Sequence, residues 1–105
     1  MFDVITVTTY TAGTDTSLVS GETGYVKIIK AMYVTNLGAD PITIDVKQDG
    51  AVVARLNVAP NDTMEIQSTL AVPEGSTVSF NAQNTGLNIV AYVAKLNKDA
   101  LTALL

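Results

Sequence analysis

Between Ile42 and Gln48 the chain alternates without a break: Ile42, Ile44 and Val46 fall on one side, Thr43, Asp45 and Lys47 on the other, and Asp49-Gly50 follows at once. A period of two sets an apolar face against a polar one, which is the mark of a half-buried strand and not of a helix. An Asp-Gly pair between two such runs is the strongest short-range hairpin signal, because a type I′ turn needs positive φ at both central residues. Ala51 to Val58 then returns as the partner strand, with Val52, Ala54, Leu56 and Val58 on one side. A lone hairpin is not stable in water, so other strands must cover its apolar face.

The rest of the chain supplies them. Phe2 to Thr11 is rich in Thr, Val and Ile and reads as a strand. Ala12 to Gly24 has Gly, Ser and Thr but no apolar period, and is expected to be the longest loop. Tyr25 to Asn36 is the next strand, and Gly38 and Pro41 mark the turn after it. Beyond the hairpin, Pro60-Asn61-Asp62, Pro73-Glu74-Gly75 and Asn84-Thr85-Gly86 are turns. They separate Thr63 to Leu70, Ser76 to Gln83 and Leu87 to Asn97. The expected fold is all-β: an antiparallel sandwich, Ig-like or jelly-roll-like, of about seven strands. The Cys…Trp…Cys mark of antibody domains is absent, so the likeness is one of architecture.

Residues 1–97 are expected to form this one domain, and residues 98–105 a short apolar tail. A length of 105 residues suits one domain. In the tail Asp99 is placed to cap a short helix with Leu101, Leu104 and Leu105 on one side. About two turns of helix do not hold alone in water, so the tail must dock or fray. The start, with no basic region and no long apolar run, does not read as a signal peptide. No stretch reaches the ~18 to 20 apolar residues of a membrane-spanning helix, so no membrane role is expected.

Composition closes off most chemistry. The sequence has no Cys and no His, which excludes thiol nucleophiles, disulfides, Ser-His-Asp arrangements and the usual zinc sites. Six Lys and Arg against ten Asp and Glu, a net charge of -4, do not suit the many phosphate contacts of nucleic-acid binding. Asp40, Asp49 and Asp62 sit in turns, where Asp is favoured for local hydrogen bonding. Asp15 and Glu22 share the long loop, where they either meet a cation or are simply solvated. No D-x-D-x-D-G loop, G-x-G-x-x-G or phosphate-binding glycine motif occurs. No catalytic, metal or cofactor site is expected, and the chain does not read as an enzyme.

The tyrosines carry the remaining signal. If Val26, Ile28, Met32 and Val34 face inward, then Tyr25, Ile29 and Tyr33 face outward. Lys30 breaks that alternation, so either a bulge shifts the register there or its stem reaches out at the rim. In the last strand Leu87, Ile89, Ala91 and Val93 point in, which sends Val90, Tyr92 and Leu96 out. Were the two strands neighbours, the outward residues would form one apolar-aromatic patch. Such a patch suits a protein interface, cover by the chain's own loop or tail, or a platform for sugar stacking. Tyr25, Ile29, Tyr33, Val90, Tyr92 and Leu96, with the tail's Leu101, Leu104 and Leu105, are the candidate interface residues.

Three segments set the chain beside known proteins: Thr35-Asn36-Leu37-Gly38-Ala39-Asp40-Pro41-Ile42, then Val58-Ala59-Pro60-Asn61-Asp62-Thr63, then Val72-Pro73-Glu74-Gly75-Ser76-Thr77-Val78. This order of strand ends and turns resembles small β-sandwich accessory proteins of tailed-phage virions, over roughly Tyr25 to Leu96. The resemblance implies a structural protein that decorates or cements a capsid, in many copies or as a homo-oligomer. Its partner would be a capsid or other virion protein, and its place the virion, after synthesis in the host cytoplasm. It implies no catalytic residue. A carbohydrate-binding or adhesin-like module is the competing expectation.

Overall fold

A computed structural model of the chain describes residues 2–66 and 69–99. They form nine strands: β1 (Phe2–Val7), β2 (Thr16–Ser20), β3 (Tyr25–Asn36), β4 (Ile42–Gln48), β5 (Ala51–Val58), β6 (Thr63–Ile66), β7 (Leu70–Val72), β8 (Thr77–Ala82) and β9 (Leu87–Asn97). All pairings are antiparallel. One sheet runs β1-β9-β3-β6, with β7 also on β3, and the other runs β2-β8-β4-β5. The pairs nest: β4 with β5, β3 with β6 and β7, β2 with β8, β1 with β9. That nesting is the connectivity of a jelly roll, so the sandwich is of this kind and not Ig-like.

The core between the sheets follows the alternation. Ile42, Ile44 and Val46 from β4, Val78 and Phe80 from β8, and Leu87, Ile89 and Val93 from β9 are all buried. The expected hairpin is present, with φ of 52° at Asp49 and 86° at Gly50. The Asp49 carboxylate accepts the Thr77 N–H at 2.9 Å and the Ser76 hydroxyl at 2.8 Å, which ties this turn to the start of β8. These donors hold the Asp49 carboxyl below the usual carboxylate range, the Thr77 N–H foremost.

Three expectations need correction, and each turns on local register. The stretch from Ala12 to Gly24 is not one loop, because β2 lies within it. A bulge between Ser17 and Val19 lets the adjacent Leu18 and Val19 both enter the core, which erases the alternation that marks a strand. The expected strand Thr63 to Leu70 gives only β6, Thr63–Ile66, and a separate strand, β7, starts at Leu70 and runs on to Val72, each on a different stretch of β3. In β5, Val52 is exposed and does not join Ala54, Leu56 and Val58, because the pairing slips between Val46 and Lys47.

Near the C-terminus, Asn97 Oδ1 accepts the Asp99 N–H at 2.9 Å. The expected tail helix capped by Asp99 lies, beyond Asp99 itself, outside the described residues. Leu101, Leu104 and Leu105, and with them the expected apolar tail, lie outside the described residues.

Candidate assembly surface

β3 and β9 pair along their whole length, so the two tyrosine-bearing strands are direct neighbours. The pairing slips between Ile29 and Ala31, leaving Lys30 as the extra residue of a bulge. The register anomaly at Lys30 is thus a bulge, and it reverses the facing of everything before it. Ile29 is not outward: it stands opposite Val93 and is 1% exposed in the core. Tyr25 shares Ile29's side, so it too leaves the outward set. Its ring lies 4.1 Å from the Lys95 ammonium, at the open end of the sandwich. Val26 and Ile28, expected inward, face out opposite Leu96 and Ala94.

Beyond the bulge the expected orientation holds. Tyr33 stands opposite Val90, and Tyr92 opposite Ala31, all on the outer side. The Tyr33 and Tyr92 rings meet edge to face, with centroids 5.9 Å apart at 90°. The Tyr33 hydroxyl donates to the Glu65 carboxylate on β6, and this bond with the carboxylate's charge raises the phenol above its ordinary value.

Sequence reasoning missed the contribution of β1. Val4 pairs with Tyr92 and Phe2 with Ala94, so both join the same outer face. They are the most exposed large hydrophobics on it, 74% for Phe2 and 58% for Val4, against 43% for Tyr92 and 41% for Leu96. The signal was present in the alternation of Phe2, Val4 and Thr6 with Asp3, Ile5 and Val7, but both sides of that strand carry apolar residues, so which of them faces out is not readable without its partner. No other described element packs over this face.

The opposite outer face has another character. Thr43, Asp45, Arg55, Asn81, Gln83 and Gly13 line an open groove of about 480 Å³ on the β2-β8-β4-β5 sheet. Arg55 grips Asp45 with two bonds, 2.6 and 3.0 Å, and holds its carboxyl below the usual range. Asp15 accepts from Asn81 at 2.8 Å and pairs with Lys47 at 3.1 Å, both of which lower its pKa, Asn81 the more. Glu22 pairs instead with Lys95, which lowers the Glu22 pKa and raises that of Lys95. The two acids of the former loop therefore answer to different lysines and do not converge on a cation. Among the described residues no group of three or more His, Cys, Asp or Glu is placed to hold a metal. No described helix is long and apolar enough to cross a membrane.

No protein-family model matches the chain, and no curated protein matches it in sequence. A solved structure does share its fold. It comes from Bacillus endospore appendages, described as a novel family of disulfide-linked pili. The match covers 92% of this chain and 87% of that one, with a TM-score of 0.53 and 15% identity. At that identity the likeness is one of fold.

Proposed function

We propose that the chain is a non-enzymatic structural subunit that works by surface contact in a multi-copy assembly. More specifically, it decorates or cements the capsid of a tailed phage, and its place is the virion. The observation that carries this reading is the outer face of the β1-β9-β3-β6 sheet, where Phe2, Val4, Tyr92 and Leu96 stand exposed together. A contiguous apolar face rimmed by polar residues marks an interaction surface. The fold shared with a pilus protein supports an assembling role. The disulfide linkage described for those pili has no counterpart here, because this sequence has no cysteine.

The test is retention on purified capsids. The unmodified protein should co-sediment with them, and Tyr92→Asp should release it while circular dichroism stays unchanged. A folded protein that ignores capsids refutes the capsid reading.

The polar groove on the other sheet favours a second reading, a carbohydrate-binding or adhesin-like module. Planar carboxylate, guanidinium and amide groups there suit sugar hydroxyls. A glycan array without signal removes this reading.

A further inference from the structure

We propose that the outer face of the β1-β9-β3-β6 sheet is where two copies of this chain meet, face on face, about a two-fold axis. The inference rests on the assembly reading above and names the occupant of that same surface.

Four observations lead to it. The first is chemical matching. An apolar face needs an apolar partner, and the other broad face of the molecule carries Thr43, Asp45, Lys47, Arg55 and Asn81. Head-to-tail stacking of the two broad faces would set Tyr92 and Val4 against ionised groups and strip those of water. Of the two broad faces formed by the described residues, the apolar one matches itself and not the other, and a self-matching patch is an isologous, two-fold interface.

The second is extent. The eleven residues of β9 span roughly 36 Å at about 3.3 Å each, and four strands at about 4.8 Å give roughly 19 Å of width. The face therefore presents up to about 700 Å², close to the roughly 800 Å² per partner of a stable complex.

The third is shape. The face is a regular sheet surface, and sheets pack on sheets about 10 Å apart through side chains like those already inside this sandwich. Edge-to-face packing of Tyr33 on Tyr92 fixes the central aromatic pair before any partner arrives. A pre-set anchor lowers the ordering cost of association.

The fourth is the position of the charge. Lys30 is exposed on β3 at the notch between β7, which pairs with Lys27 to Ile29, and β6, which pairs with Met32 to Thr35. A long stem at a notch can lead its ammonium to water while its methylenes stay over apolar surface. Glu65 lies on the same flank, beside Tyr33. Charge therefore lies toward one edge of the face, and the strip from Val4 through Tyr92 to Leu96 is free of it.

Sedimentation velocity of the purified chain, with no capsid present, tests this. The expected result is a dimer at micromolar concentration. Tyr92→Asp and Val4→Asp should each weaken dimerisation at least about tenfold, as loss of a central anchor does. Asn57→Asp, on the opposite sheet, should leave it unchanged. Phe2→Ser is the milder variant should either Asp substitution disturb the circular dichroism. An oligomer that survives both Tyr92→Asp and Phe2→Ser overturns the proposal, as does a chain that stays monomeric throughout. If that monomer dimerises once residues 100–105 are removed, the chain's own C-terminal segment is the occupant. If the monomer still binds capsids through Tyr92, the occupant is a capsid protein, and the assembly reading stands without the dimer. Failure of both dimerisation and capsid binding removes the assembly reading itself.

Discussion

Replacing Ile29 by Ala separates the observed register of β3 from the one that unbroken alternation predicts. Strict alternation puts Ile29 on the solvent side, where truncation would cost about 0.5 kcal/mol or less. In the structure Ile29 is 1% exposed and packs in the core opposite Val93. Truncating such a residue costs its transfer energy plus a cavity, about 2 to 5 kcal/mol. The upper half of that range is expected, because the side chain lies mid-sheet between β7 and β9 and its backbone neighbours cannot collapse inward. At about 2.1 cal/mol/K of unfolding entropy per residue, a domain of this length loses roughly 4 to 5 °C per kcal/mol. Ile29→Ala should therefore lower Tm by about 15 to 25 °C.

The control is Ile28→Ala, one residue away and on the outer face, where about 1 kcal/mol or less is at stake within a single molecule. Both variants are compared by urea and thermal unfolding, at dilutions where the midpoint no longer depends on concentration. That condition keeps contacts between copies out of the comparison. If Ile28→Ala proves as costly as Ile29→Ala, or costlier, the bulge at Lys30 is wrong and Tyr25 returns to the outer face.

Other expectations follow from individual contacts. Asp15, Glu22, Asp45 and Asp49 have lowered pKa values, so their contribution to stability is full above the ordinary carboxylate pKa of about 4 and is lost as pH falls through their folded values. Tyr10, Tyr33 and Lys95 are raised, so their contribution is full below about 10 and is lost as pH rises further. Tm against pH should show a plateau falling at both ends, and a Tm still flat at about pH 2 refutes the acid limb. Gly21→Ala should cost more than about 1 kcal/mol in urea unfolding, because a Cβ there runs into the backbone carbonyl of Pro73. Asn36→Ala should cost at least about 2 kcal/mol, since the buried amide donates to Asp40 and Val58 carbonyls at 2.7 and 3.0 Å and accepts the Gly38 N–H at 2.8 Å. A loss under about 0.5 kcal/mol in either variant contradicts the packing described.

Strand bounds are legible where turn chemistry is clear: β3, β4, β5 and β9 begin and end at the expected residues, although β3 and β5 each hold a register shift within those bounds. Bulges account for the facings that alternation does not predict. Leu18 and Val19 are adjacent and both buried, so β2 carries no period of two. Lys30 announced an irregularity but not which half of the strand it displaced. With Val26 and Ile28 in the displaced half, Ile29 falls beside Met32 and Val34, where it is found. A one-residue slip moves a whole set of side chains to the other face, and the sequence holds no local marker of its sense. The separation of β6 from β7, which begins only at Leu70, depends on which part of β3 each meets, which is a tertiary matter.

The candidate surface was half legible for a related reason. In β4 and β8 the residues between core positions are polar: Thr43, Asp45 and Lys47, then Ser79 and Asn81. In β3 and β9 they are not, since Val26, Ile28, Ala31 and Tyr33, like Val90, Tyr92 and Leu96, are apolar or aromatic. Strands apolar on both sides belong to sheets covered on both sides. Topology brings these two strands together with β1, whose Phe2 and Val4 extend the same pattern. One side is covered by the β2-β8-β4-β5 sheet, and no described element covers the other. The pattern therefore calls for a second layer that the described fold does not supply. Among the described residues, the face with matching chemistry is that same face on another copy.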